Sequence, residues 1–188
     1  MRERTVPEFC YRVRTVDAEG TRALGRWLAT VFRAGDVVVL VGDLGGGKTT
    51  LTQGIGEALG VSGRITSPTY IVSRVHRNPE GGPDLIHVDA YRVEDDLDME
   101  TIDLGTSLGE SITVVEWGRG KVEDLSEDRF EVEFAFVEEE VVPLVDENGD
   151  LIEGEPREIM VRALGEEPAQ RLETRVVHRE KVLGEKRH

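Results

Sequence analysis

Hydrophobic and polar positions alternate with period two in "YRVRTV" (Tyr11 to Val16), which predicts a strand. The period then changes. In "DAEGTRALGRWLATVF", Leu24, Trp27, Leu28 and Val31 fall at helical spacing, and Asp17 stands where a helix cap belongs. "GDVVVLVG" is a short apolar run and reads as a buried strand. "KTTLTQGIGEALG" returns to helical spacing through Leu51, Ile55, Ala58 and Leu59, with Gly60 as terminator. Gly54 and Gly56 each cost such a helix about 1 kcal/mol relative to Ala, and close packing against a sheet is the expected reason.

Further along, "ITSPTYIVSRVHR" and "DLIHVDAYR" read as a strand pair around "NPEGGPD". "VEDDLDMETIDLG" is acidic, with sparse apolar positions, and is expected to be an exposed helix. "SITVVEW" is a second buried strand. "DRFEVEFAFV" and "REIMVRALG" both alternate and are expected to pair. Between them, "EEEVVPLVDENGDLIEGEP" reads as an acidic hairpin or insertion over about 138–156, with Asn148-Gly149 as the turn signal. Residues 166–188 are charged and weakly patterned, and read as a frayed helix or tail appended to a single domain over 1–165. Strands alternate with helices in the first half and dominate the second. The expected fold class is therefore α/β, a three-layer domain with a mixed sheet.

Composition narrows the function classes. The 188 residues suit one ordinary domain, and 38% hydrophobic content is enough for a packed core. No apolar run is long enough to cross a bilayer, and the N-terminal stretch carries charge without the apolar segment of a secretory signal. Cys10 is the only cysteine, so no intrachain disulfide is possible. It reads as a small buried apolar residue, in keeping with a reducing, cytoplasmic setting. The formal net charge of −15 opposes autonomous binding to a nucleic-acid backbone. An anionic ligand must then be held by donors arranged locally.

Such an arrangement exists. Gly42-Asp43-Leu44-Gly45-Gly46-Gly47-Lys48-Thr49 fits G-x-x-x-x-G-K-[ST] at every fixed position, between a predicted buried strand and a predicted amphipathic helix. Glycines let backbone N–H groups turn inward around a phosphate without Cβ clashes. The helix that follows points its positive end at the same anion. Lys48 is placed to span β- and γ-phosphates, and the Thr49 hydroxyl suits Mg²⁺.

A phosphate loop of this kind works with an acid at the end of a neighbouring strand, which holds the metal directly or through water. Two candidates follow apolar runs, Asp89 in "LIHVDAYR" and Glu116 in "ITVVEW". "SPTY" (Ser67 to Tyr70) is extended and stiffened by Pro68, and lies soon after the loop helix, where such proteins keep a γ-phosphate sensor; Thr69 is the candidate contact.

Taken together and in this order, "GDLGGGKTT", "SPTY", "HVDAYR" and "EW" resemble the bacterial TsaE (YjeE) family, the small ATPase of the tRNA threonylcarbamoyladenosine pathway. The similarity runs from about Tyr11 to Phe136 and more weakly through "REIMVRALG". The resemblance implies a P-loop NTPase-like domain with a mixed, mainly parallel sheet, which binds ATP and Mg²⁺ and hydrolyses ATP weakly by itself. It implies TsaD and TsaB as partners, tRNA met only indirectly through that complex, and no membrane. It assigns the Gly42–Thr50 stretch (Gly42, Asp43, Leu44, Gly45, Gly46, Gly47, Lys48, Thr49 and Thr50) to the nucleotide, Thr49 and Glu116 to the metal, and Lys48 and Asp89 to catalysis. Asp89 is then the acid that positions or activates water. Trp117 belongs to the same signature, and Arg157 is carried over as a nucleotide contact. Gly46 departs from the more usual Ala of the family loop, and the 138–156 stretch and the tail are longer than typical.

The alternative is a P-loop small-molecule kinase with Asp89 as base and Arg92 as clamp. It lacks an arginine-rich lid, since Arg74 and Arg77 are too few. A GTP-dependent switch is disfavoured, because the guanine-reading N-K-x-D signature is absent.

Overall fold

The structure is a computed structural model and describes residues 6–68, 73–91, 108–121, 126–137 and 156–185. The strands are β1 (Glu8–Thr15), β2 (Val37–Val41), β3 (Ser73–His76), β4 (Asp84–Asp89), β5 (Ser111–Glu116), β6 (Arg129–Phe136) and β7 (Arg157–Leu164). The helices are α1 (Ala18–Leu28), α2 (Lys48–Leu59) and α3 (Glu166–Glu185), and a single 3-10 turn at Leu108–Glu110 leads into β5. No helix among the described residues is long and apolar enough to cross a membrane.

The strands form one mixed sheet in the order β1-β7-β6-β2-β5-β4-β3. Its centre, β6-β2-β5-β4, is parallel. β3 pairs antiparallel with β4, and β7 runs antiparallel between β6 and β1. The central strands are apolar on both faces, as a parallel sheet requires: Val37 to Leu40 are all at most 3% exposed. The expected pairings of β3 with β4 and of β6 with β7 are present.

Each helix begins and docks for a local reason. Asp17 caps α1 by accepting a hydrogen bond from the Gly20 amide at 2.6 Å. Leu24 and Leu28 of α1, Leu51 and Ile55 of α2, and Leu172 and Val176 of α3 share one apolar cluster with Val38, Leu40, Ile112, Val114, Phe130 and Val132 of the sheet. All three helices therefore cover the same face. The other face presents Val37, Val39, Ile86, Val88 and Val115, which are also buried.

Four expectations need correction. Of the frayed helix or tail expected after residue 165, the helix is present but packed rather than frayed: Leu172 is fully buried, and Arg171 on the same turn reaches the Val31 carbonyl and both oxygens of Asp36. Cys10 is exposed rather than buried, because the alternation of β1 sends it outward with Arg12 and Arg14. Gly54 is explained by helix–helix contact rather than by the sheet. A Cβ there would stand 2.0 Å from the Arg22 carbonyl oxygen of α1, just as a Cβ on Gly25 would stand 2.3 Å from the Leu51 carbonyl oxygen. Gly56 instead makes room for the Ile65 side chain. The expected acidic helix in "VEDDLDMETIDLG", the Asn148-Gly149 turn, Thr69, Tyr70 and Arg92 lie outside the described residues.

Candidate functional site

The site forms where β2, β5 and β4 end. Parallel register puts Leu40 beside Glu116 and Glu116 beside Asp89, so the two acids are neighbours on adjacent strands. Strand alternation then aims both toward the face that α2 covers, in line with Leu40, Val114 and Leu85. Each acid is 3% exposed.

The glycine loop crosses above this row from β2 to α2. Gly42, at φ 145°, lets the chain leave β2 against β6, where a Cβ would press on the Phe134 carbonyl at 2.8 Å. Gly47 caps α2 in the left-handed conformation at φ 106° and brings no side chain to the cap. The first turn of α2 carries no acid either, so its leading amides and positive end face the loop without a local competitor.

Lys48 is 5% exposed, and its Nζ donates to the carbonyls of Gly42 at 2.6 Å and Asp43 at 2.8 Å. The Trp117 ring lies 3.8 Å from the same ammonium. Burial lowers the Lys48 pKa, and the charges of Glu116, Asp89 and Asp43 only partly offset it. Trp117 adopts φ 63°, a left-handed conformation that a bulky aromatic residue takes at a cost of about 1–3 kcal/mol. That turn lays its ring over Lys48 and sets Tyr91 edge-on against it at 5.2 Å.

The acids are held from below. The Thr49 hydroxyl donates to Glu116 Oε1 at 2.8 Å, and His87 Nε2 approaches the same oxygen at 2.8 Å. Asp89 accepts from Ser67 Oγ at 3.1 Å on one oxygen and from the Tyr91 amide at 3.0 Å on the other. A cavity of about 410 Å³ opens between loop and acids, lined by Leu44 to Thr50 together with Ser67, Asp89, Tyr91, Glu116 and Trp117.

Most residues expected at the site thus converge on one cavity. Gly42 and Asp43 stand behind it, where their carbonyls receive Lys48. Arg157, the first residue of antiparallel β7, reaches the same edge of the sheet but lies outside the lining; its Nη2 donates to the Gly45 carbonyl at 3.1 Å, buttressing the loop from outside. His87, Ser67 and Tyr91 entered the site without having been assigned a role. The available signal was period two: His87 precedes Asp89 by two residues on a predicted strand and so shares its face.

The chemistry on offer is that of an anion cradle facing two carboxylates. No group of three His, Cys, Asp or Glu side chains able to hold a metal stands among the described residues. A cation here would use Thr49 and Glu116 and draw its remaining oxygens from a ligand and water, which is the habit of Mg²⁺ beside phosphates.

Comparison with known proteins places the chain in a family. Residues 15–141 match the family model described as threonylcarbamoyl adenosine biosynthesis protein TsaE. A Streptomyces coelicolor protein named tRNA threonylcarbamoyladenosine biosynthesis protein TsaE is 61% identical over 109 residues, covering 57% of this chain and 74% of that one. Proteins of the same name from Mycobacterium leprae and Bacillus subtilis are 46% and 38% identical, each over 63% of this chain and 74% and 73% of theirs. The crystal structure of Bacillus subtilis YdiB superposes with a TM-score of 0.67 at 27% identity, over 94% of this chain and 99% of that one, which supports a P-loop-like fold. The chain belongs to the TsaE family of tRNA threonylcarbamoyladenosine biosynthesis proteins.

Proposed function

We propose that this chain is a Mg²⁺-dependent ATPase that hydrolyses ATP weakly alone and serves, with TsaD and TsaB, the assembly that makes threonylcarbamoyladenosine on tRNA. The observation that carries the reading is the single cavity shared by the Leu44–Thr50 loop, Asp89 and Glu116, with the Thr49 hydroxyl already bonded to Glu116.

Each residue has a physical task under this reading. The loop amides and the start of α2 bind phosphate oxygens. Lys48 exchanges two loop carbonyls for phosphate, which is favourable because a buried ammonium gains more from an anion than from neutral acceptors. Thr49 and Glu116 hold Mg²⁺, which when bound supplies positive charge against the phosphates. Asp89, fixed by Ser67 and the Tyr91 amide, orients the attacking water. Positioning and electrostatics would carry the rate. With a net charge of −15, the chain is suited to meeting tRNA through its partners rather than by itself.

The test is ATP hydrolysis by the purified chain, alone and with TsaB and TsaD from the same source. Slow turnover that changes sharply on adding the partners is expected. Failure to bind ATP with Mg²⁺ would remove the nucleotide reading, unchanged turnover with no association would remove the partnership, and a phosphorylated metabolite would move the site to the kinase class.

A further inference from the structure

His87 is fully buried on β4, and nothing in the assigned chemistry uses it. Its Nε2 lies 2.8 Å from Glu116 Oε1, the oxygen that also accepts the Thr49 hydroxyl. A carboxylate only accepts, so Nε2 carries the hydrogen. The other ring nitrogen, Nδ1, is buried with no partner among the described residues. An imidazole with one nitrogen left unpaired is a poor filler for an apolar core, and a Leu would occupy the place without that penalty. The Nε2 bond is what the position gains in return. Register explains the reach: Asp89 pairs with Glu116, and His87, two residues earlier on the same face, meets the Glu116 side chain diagonally.

We propose that His87 is a positioning residue for Glu116. Its Nε2–H pins Oε1 beside the Thr49 hydroxyl and so leaves Oε2 as the oxygen presented to the cavity. The proposal rests on the reading of this cavity as a Mg²⁺–nucleotide site. Metal ligands elsewhere depend on such outer partners, and losing one commonly lowers metal affinity by about 10- to 100-fold.

Amide replacements separate positioning from packing. The Gln side-chain nitrogen can take the place of Nε2, whereas the shorter Asn reaches only the place of Nδ1. Binding of a non-hydrolysable ATP analogue is measured by calorimetry across a MgCl₂ titration, and the Mg²⁺ needed for half-maximal hydrolysis is measured alongside, for wild type, His87→Gln, His87→Asn and His87→Leu. His87→Asn and His87→Leu are expected to raise the Mg²⁺ requirement by about 10-fold or more. His87→Gln should stay within about 3-fold of wild type, and affinity for the analogue without Mg²⁺ should be unchanged in all four. Should His87→Leu fail to fold, the Asn–Gln pair carries the comparison. Equal behaviour of Asn and Gln, or equal loss with and without Mg²⁺, overturns the proposal and leaves His87 a packing residue. Wild-type protein that binds no analogue at all removes the reading of the site instead, so the two failures are distinguishable.

Discussion

Arg171 on α3 gives one nitrogen to each oxygen of Asp36, both at 2.8 Å, and a further hydrogen bond to the Val31 carbonyl. It lies over the Phe130 ring, and the Asp36 carboxylate holds its pKa above the ordinary value. Lys48 is equally withdrawn from water, but its nearest acceptors are two neutral carbonyls, and burial pushes its pKa down. One cation has its counter-charge in hand; the other has acids near it and, among the described residues, none bonded to it. The first arrangement ties α3 to the turn that leads from α1 into β2. The second leaves a charge under-satisfied beside a cavity, ready to gain from an anion. Burial alone does not tell scaffold from site; the partner does.

Replacing each cation by Met should break the comparison in opposite directions. Lys48→Met is expected to slow ATP hydrolysis by about 100-fold or more, the scale of losing one preorganised donor to developing charge. Its melting temperature should be unchanged or higher, since a desolvated ammonium has been removed. Retained hydrolysis would place the chemistry elsewhere. Arg171→Met should leave nucleotide affinity alone and lower stability by about 2–3 kcal/mol in urea, because Asp36 is left without its partner. An unchanged midpoint would make that ion pair incidental.

A smaller effect is expected at the α1–α2 crossing. Gly54→Ala forces a methyl against backbone and should cost about 1–2 kcal/mol after the gain in helix propensity. Gly56→Ala meets side-chain ends rather than backbone, those of Ile65 and, at 3.3 and 3.4 Å, Val61 and Leu85, and should cost less. Equal losses in chemical denaturation would refute the distinction.

The smallest effect is a slope. Lys48 has a lowered pKa when folded, so between that value and the ordinary 10.5 the unfolded chain binds more protons. Stability from this residue therefore rises with pH across that alkaline window, and the full penalty stands below it. Wild type minus Lys48→Met isolates the slope, and a difference that is flat there would contradict the desolvation account. Arg171 titrates too high to contribute.

The two regions also differ in how far they could be read from the chain alone. The Gly42–Thr50 loop was legible because its chemistry is contiguous: glycines, ammonium and hydroxyl must follow one another for the backbone to fold around a phosphate. β1, β6 and β7 were legible from period two and β2 and β5 from short apolar runs, and the alternation of β1 also implies that Cys10 faces outward with Arg12 and Arg14. α3 was harder. Its buried stripe is Leu172 and Val176 with Ala169 beside them, too sparse among charges to outweigh the look of a tail.

Local pattern thus pointed to most of the elements, to the glycine loop and to both candidate acids, since each depends on neighbours a few residues away. Only the folded sheet decided that Asp89 and Glu116 stand side by side, that His87 and Thr49 share one oxygen of Glu116, that Arg157 braces Gly45, and that Gly54 serves a helix crossing. Those contacts join residues 27 to 112 apart in the chain, from Asp89 beside Glu116 to Arg157 with Gly45. Periodicity specifies which face a side chain takes, whereas the neighbour it meets there is chosen by how the whole chain packs.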